Sequence, residues 1–247
     1  MPNQEFERLH VRIAHSGLCS RRAAEKLILE GRVIVNGNLV QELGFKVGPG
    51  DEVSVDGKII TEAKKYVLIL NKPAGIVTTL FDPEGRPTIT QFLPNYGVQL
   101  KPVGRLDKET DGLIFVTNDG EIALRLTHPR YGLEKEYQAI VEGIPSEKSL
   151  DELRKGVWIE GGKTAPARVE VGYVDEKKYS TSLRITIKEG RKRQVRYMCD
   201  AIGHPVVRLT RVRIGSYYVK GLRPGECKVL SKVEVSKLKR TLGLEDS

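Results

Sequence analysis

The sequence predicts an α+β protein in two parts: a small N-terminal domain over residues 1–64 and a larger domain over residues 65–247, a mixed, mostly antiparallel β-sheet with flanking helices. Three observations lead to this reading. Short runs of Val, Ile and Leu recur along the chain and alternate with a few helical stripes, which is the pattern of a sheet-rich α+β fold. A polar stretch, TEAKK at 61–65, separates a compact first segment from the rest. The length of 247 residues, 39% of them hydrophobic and 30% charged, is enough to build a real core and too apolar for a disordered chain.

The elements of the first domain follow in order. Leu9, Ile13 and Ala14 lie at helical spacing, and Gly17 supplies a left-handed end. Ser20 is an N-cap for a second helix over 21–30, with Ala24, Leu27 and Ile28 on one face and Gly31 beyond its end. RVIVNGNLV then reads as two strands around Asn36-Gly37, a strong short-hairpin signal. GPGDEVSVDG, 48–57, adds a turn and another strand. Two helices on a small hairpin sheet is the expected shape.

The larger domain opens with a strand at 66–70. LIFVT, 113–117, is an apolar strand that runs into Asn118, which has capping-box spacing to Glu121 for the helix after it. KEYQAIVEG, 135–143, is a half-buried strand. Ser146 opens a helix that Gly156 closes, and SLRITI, 182–187, alternates as a strand does. Val195, Met198, Cys199 and Ile202 form one helical stripe, ended by Gly203, that reads as core packing.

Charge narrows the function. The chain carries +9, and residues 184–223 alone hold eleven basic against two acidic side chains, an excess equal to the whole. Residues 1–64 are balanced, nine against nine. Concentrated positive charge attracts polyanions, with nucleic acid as the leading partner. Arg21 and Arg22 sit in a helix first turn, where the macrodipole favours acids by ~0.3–1 kcal/mol, so they read as half of a phosphate site with the free amides there, flanked by Lys26 and also by Arg8, Arg12 and Arg32. The alternative is indifferent surface charge.

Other function classes find no support. No apolar run of ~18 residues predicts a membrane span, and residues 1–10 are polar, with no secretion signal expected. Cys19, Cys199 and Cys227 are too scattered for a disulfide framework, which points to reducing cytoplasm. The four histidines and three cysteines make no zinc-ligand spacing. GVWIEGGKT, 156–164, approaches a Walker A loop but sets Val157 at a glycine position and is one residue too long. There is no GxGxxG after a strand and no GxSxG.

What remains is PVGRLDKETDGLIFVTNDG, 102–120, a polar loop feeding directly into an apolar strand. An Asp in such a loop is commonly a turn or cap residue. The buried strand after it would also anchor Asp107 rigidly, as catalytic loops are anchored. Composition leaves both readings open.

The residue strings themselves carry two resemblances. SGLCSRRAAEKLILEGRVIVNGNLV is similar to the small RNA-binding domain named after ribosomal protein S-four, over about 8–58. GRLDKETDGLIFVTNDG closely resembles the second motif of the pseudouridine synthases, in the branch of the ribosomal small-subunit synthase A and the large-subunit synthases B, E and F. NKPAG (71–75) resembles the first motif of that family, KEYQA (135–139) its tyrosine motif, and EGRKRQVRYM with GHPVVRLTRVRIG (189–198 and 203–215) its third. Four motifs in order span the chain from about 8 to 230. Tyr197 departs from the family, which commonly has arginine after QVR.

The resemblance implies an isomerase that converts a uridine of ribosomal RNA to pseudouridine, with large-subunit RNA slightly favoured, working as a cytoplasmic monomer without metal or other cofactor. It makes Asp107 the catalytic aspartate, Tyr137 the ring that stacks on a flipped-out base, and Arg196 the basic partner of Asp107. Flipping costs a few kcal/mol and stacking returns ~1–3 kcal/mol. Arg105 would either fill the space that the flipped nucleotide vacates or grip that nucleotide, while the exposed run of Arg191, Lys192 and Arg193, together with Arg208, would contact RNA. The rivals are a non-catalytic RNA-binding protein and a synthase acting on transfer RNA.

Overall fold

The computed structural model describes residues 6–244. The chain forms two compact units. One runs through Tyr66 and takes in Asn95–Leu100; the other comprises Val67–Pro94 and the chain from Lys101 onward. The division thus falls two residues beyond the expected one, and 95–100 packs with the smaller unit, where Tyr96 stacks on Tyr66 with ring centroids 4.4 Å apart.

In the smaller unit, α1 (Leu9–His15) and α2 (Arg21–Leu29) lie where their apolar stripes predict. The Ser20 hydroxyl caps α2 by accepting from the Ala23 amide at 3.2 Å. Leu9, Ile13, Ala24 and Ile28 bury their faces against Val33, Val35, Val53 and Val55. These valines come from β2 (Val33–Val35) and β5 (Val53–Val55) of a four-stranded sheet, with β3 (Asn38–Leu39) and β6 (Lys58–Ile59) at its edges. Asn36 and Gly37 both have positive φ, 49° and 80°, the signature of the expected tight hairpin. A short ladder of β1 (Glu7–Arg8) with β4 (Lys46–Val47) adds a pairing the sequence did not announce.

The larger unit is built on β7 (Val67–Lys72), β8 (Lys101–Val103), β9 (Thr110–Thr117), β10 (Lys135–Glu142), β13 (Arg168–Asp175), β14 (Ser180–Ile187), β15 (Val206–Ile214), β16 (Tyr217–Tyr218) and β17 (Cys227–Val229). They form one sheet in the order β13-β14-β10-β15-β9-β7-β17, with β8 paired to β9 and β16 to β15. Every pairing is antiparallel except β15 with β9. The helices are α3 (Gly120–Thr127), α4 (Glu147–Lys155), α5 (Gln194–Ala201) and α6 (Lys232–Thr241), and a small hairpin joins β11 (Trp158–Ile159) to β12 (Gly162–Lys163). Ile122 and Leu126 of α3 and Leu238 of α6 pack on Val67, Leu113 and Phe115.

One local expectation changes, and one element appears that the sequence pattern left unassigned. The cap of α3 is Asp119, not Asn118: its Oδ1 accepts from the amides of Glu121 and Ile122, so the helix starts one residue later than the capping-box spacing implied. The region after α5 is a nine-residue strand, β15, in a stretch whose arginines mask any alternation.

Strand β9 forks the sheet. One edge pairs with β7 along Val67–Lys72. On the other edge, Thr110, Asp111 and Gly112 pair with β15, while Phe115, Val116 and Thr117 pair with β8. The two partners part at Leu113 and Ile114. Gly112 makes the fork possible: its φ is +109°, and a Cβ there would lie 2.3 Å from the Arg211 carbonyl oxygen. No helix among the described residues is long and apolar enough to cross a membrane.

Candidate active site

A cavity of about 1010 Å³ opens at this fork, lined by eight lysines and arginines against three carboxylates, Asp82, Asp107 and Glu189. Asp107 lies on the loop from β8 to β9, and the backbone is pinned on both sides of it. Before it, Leu106 binds Thr78 twice: its carbonyl accepts from the Thr78 hydroxyl at 2.7 Å, and its amide donates to the same oxygen at 3.3 Å. After it, the Lys108 carbonyl accepts from the Gly75 amide at 2.8 Å and from Lys72 Nζ at 3.4 Å. The Thr110 amide closes the turn onto the Asp107 carbonyl at 3.0 Å. The Asp107 carboxylate is half-buried and forms no hydrogen bond or ion pair among the described residues. It is a fixed acceptor facing basic walls.

Lys72 is the brace under this loop. It is wholly buried, and its ammonium also donates to the Pro73 and Ile76 carbonyls, both at 2.8 Å. Burial pulls its pKa down to about 8, although the charges of Asp111, Glu109 and Asp107 oppose the shift. The NKPAG string therefore acts by holding the aspartate loop.

Tyr137 lines the cavity from β10 and is 8% exposed. Opposite it on β15 stands Arg211, because a β-bulge intervenes: Glu136 faces Arg213 and Tyr137 faces Arg211, which leaves Val212 as the extra residue. Bulges beside sites re-aim side chains in this way. Arg213, turned to the other face, pairs with Glu136 at 3.0 Å and Glu134 at 3.3 Å.

Arg196 requires a correction. Among the described residues no ion pair joins it to Asp107. It is buried, and its guanidinium donates to the Val206 carbonyl at 3.2 Å and to the Glu109 carbonyl and Thr110 hydroxyl at 3.4 Å. It thus holds the far end of the aspartate loop through backbone and hydroxyl, with its Nε left without a partner.

The basic run also changes. The Arg191 guanidinium is occupied, by Glu189 at 2.8 Å and by the carbonyls of Gly162 and Lys163 at 2.9 Å. The near-Walker string is therefore a hairpin turn whose carbonyls grip a cation, the opposite of a phosphate cradle. Arg193 sits at φ +52° as the residue before α5 and pairs with Glu109 at 3.7 Å. Lys192 and Arg105 are exposed on the cavity wall. Arg208 is exposed and paired with Asp111 at 2.9 Å.

In the smaller unit, Arg21, Arg22 and Lys26 are exposed on α2, with Lys26 3.6 Å from Glu30. Arg12 is tied to Glu7 and the Gly48 carbonyl, and Arg32 to Asp56 at 2.6 Å, so these two flanking arginines serve the fold. Sequence reasoning missed Thr78, Arg211 and Phe81, a 79% exposed ring at the cavity rim. Arg211 had a signal inside the GHPVVRLTRVRIG string, as Lys72 had inside NKPAG; Thr78 and Phe81 had none. Among the described residues no group of His, Cys, Asp and Glu is arranged to hold a metal.

Comparison with known proteins places both parts of the chain in known families. Residues 66–201 match the family model of RNA pseudouridylate synthase, and residues 7–53 match the S4 domain. The ribosomal large subunit pseudouridine synthase B of Bacillus subtilis is 43% identical over 234 residues, covering 95% of this chain and 96% of that one. An RNA pseudouridine synthase of Aquifex aeolicus is 43% identical over 240 residues, 96% of each chain. A crystal structure of a pseudouridylate synthase superposes with a TM-score of 0.65 at 31% identity, covering 94% of this chain and 99% of the other. Asp107 on its braced loop and Tyr137 across the cavity thus stand in a chain that carries both an S4 domain and a synthase domain, and it belongs to the RNA pseudouridylate synthase family, isomerases that convert uridine to pseudouridine.

Proposed function

We propose that the protein isomerises a uridine of ribosomal RNA, in the large-subunit RNA, with Asp107 as nucleophile or base acting on a flipped-out nucleotide in the cytoplasm. The observation that carries this is the Asp107 carboxylate, unpartnered yet held by backbone bonds on both sides, in a basic cavity that Tyr137 also lines. A carboxylate kept free at that cost is available to the sugar or ring of a substrate. The ribosomal substrate is supported by the name of the Bacillus relative. Tyr137 supplies the stacking surface for the base. Arg105 and Lys192, exposed on the wall, meet backbone phosphates, and Arg21 and Arg22 add contacts from the S4 domain.

The test is a map of pseudouridine in ribosomal RNA from cells with the protein, without it, and with Asp107→Asn in its place. The expected result is one large-subunit position that loses its pseudouridine in both altered strains, while purified Asp107→Asn still binds that RNA. An unchanged map, or full modification by the Asn variant, would end the reading.

A further inference from the structure

The fold accounts for only part of the Arg211 side chain. Its Nε donates to the Leu113 carbonyl at 2.7 Å, filling the gap where β8 and β15 part from β9. Its Nη2 is buried and has no partner, and among the described residues no carboxylate pairs with the guanidinium. The residue is 5% exposed. A cation taken out of water with an unused donor is costly, and folds keep such groups where a ligand completes them.

Position says which ligand. Arg211 lines the cavity and is the cross-strand neighbour of Tyr137, so the two side chains share one face of the sheet at adjacent sites. Its charge is felt across the cavity: burial, reinforced by Arg211, holds the Lys135 ammonium below the ordinary lysine range.

This inference rests on the isomerisation proposed above and concerns its midpoint. When the bond between ribose C1′ and ring N1 breaks, the electron pair leaves with the base. By whichever route Asp107 engages the sugar, the detached uracil holds one negative charge, shared over N1, O2 and O4. We propose that Arg211 is the counter-ion of this detached uracil, holding the anion beside Tyr137 while the ring turns to present C5. The C5 electron pair then makes the C1′–C5 bond, the C5 proton departs, N1 takes up a proton, and the base is neutral again. A fixed cation acts on this charge and little on neutral uridine, so it raises the rate and leaves affinity nearly alone.

The test uses two variants of the full chain and two substrates. Arg211→Gln keeps a donor for the Leu113 carbonyl and removes the charge; Arg211→Lys keeps the charge and gives up the planar fork. Each is assayed in steady state and in single turnover on a ribosomal RNA fragment carrying the target uridine, and in single turnover on the same fragment with 5-fluorouridine there. Fluorine stabilises the departing anion, so less help is needed from the protein. For Arg211→Gln, kcat on uridine should fall ~100-fold with RNA affinity within about threefold of wild type. For Arg211→Lys the fall should be smaller. The Gln deficit in C1′–N1 cleavage should shrink about tenfold on 5-fluorouridine. Equal deficits on the two substrates, a loss confined to KM, or a Gln variant with wild-type kcat would each overturn the assignment. A wild-type chain that made no pseudouridine in ribosomal RNA would instead overturn the enzymatic reading beneath it.

Discussion

Thr78 and Leu106 are joined by two hydrogen bonds to a single oxygen, so one hydroxyl satisfies both the amide and the carbonyl of the residue that precedes Asp107. Both partners are buried. Thr78→Val keeps the shape and removes both bonds, leaving two buried backbone groups unpaired at a cost of ~1–3 kcal/mol each. Stability to urea should drop by that order. Single-turnover rates should fall ~10-fold or more, since small displacements of a reacting group are expensive, and Thr78→Ser should restore most of the rate. Lost stability with an unchanged rate would confine Thr78 to the fold.

Arg196 is expected to act by position. Arg196→Met frees the Glu109 carbonyl and the Thr110 hydroxyl at the end of the Asp107 loop. kcat should fall ~100-fold while the dissociation constant for RNA stays within about threefold. Arg196→Lys, which keeps the cation and part of the donor set, should recover a measurable share. A defect seen only in RNA affinity would overturn this positioning role and make Arg196 an RNA contact.

The exposed and occupied arginines should separate in a salt titration. Replacing Arg21 and Arg22 together by Gln should lessen the slope of log affinity against log salt by ~1–2 if both meet phosphates. Arg191→Gln should change that slope little and lower thermal stability, because its guanidinium holds the carbonyls of Gly162 and Lys163. Filter binding from low to moderate salt, with a melting curve for each variant, decides between the two roles.

Lys72 ties stability to pH with a definite sign. Its folded pKa of about 8 lies below the ordinary lysine value of 10.5, so between those values the unfolded chain binds the extra proton. Its contribution to unfolding free energy therefore rises as pH climbs through 8 toward 10.5, and is flat below that window. The wild-type advantage over Lys72→Met, measured by urea unfolding at pH 7, 8.5 and 9.5, should grow with pH. A constant difference would place the Lys72 titration elsewhere.

Much of the fold is legible in sequence where a single residue type answers a single local need. Ser20 and Ser146 cap helices because their hydroxyls reach the third amide. Asn36-Gly37 turns because both residues accept positive φ. The position of Asp107 was legible too, in a polar loop before an apolar strand. Long-range pairings were less so. Strand β15 hides its alternation behind Arg208, Arg211 and Arg213 and behind the bulge at Val212. Thr78 lies 28 residues from the carbonyl it serves, a partnership no local pattern announces. Arg196 and Arg191 show that an arginine in a basic run is as ready to bind carbonyls as phosphates, and only the packed structure distinguishes them.

The parallel ladder of β9 with β15 joins Thr110 to Leu209, positions about a hundred residues apart in the chain. Closing so long a loop carries a large entropic charge before any bond compensates it, so ladders of this kind zip late. Hairpin pairings such as β13 with β14 ask for far less closure and come first. The cavity at the fork therefore exists only once the final third of the polypeptide has been made and docked. In a refolding time course, isomerase turnover should lag behind the recovery of β-sheet circular dichroism, and a nascent chain should stay catalytically silent until β15 has cleared the exit tunnel.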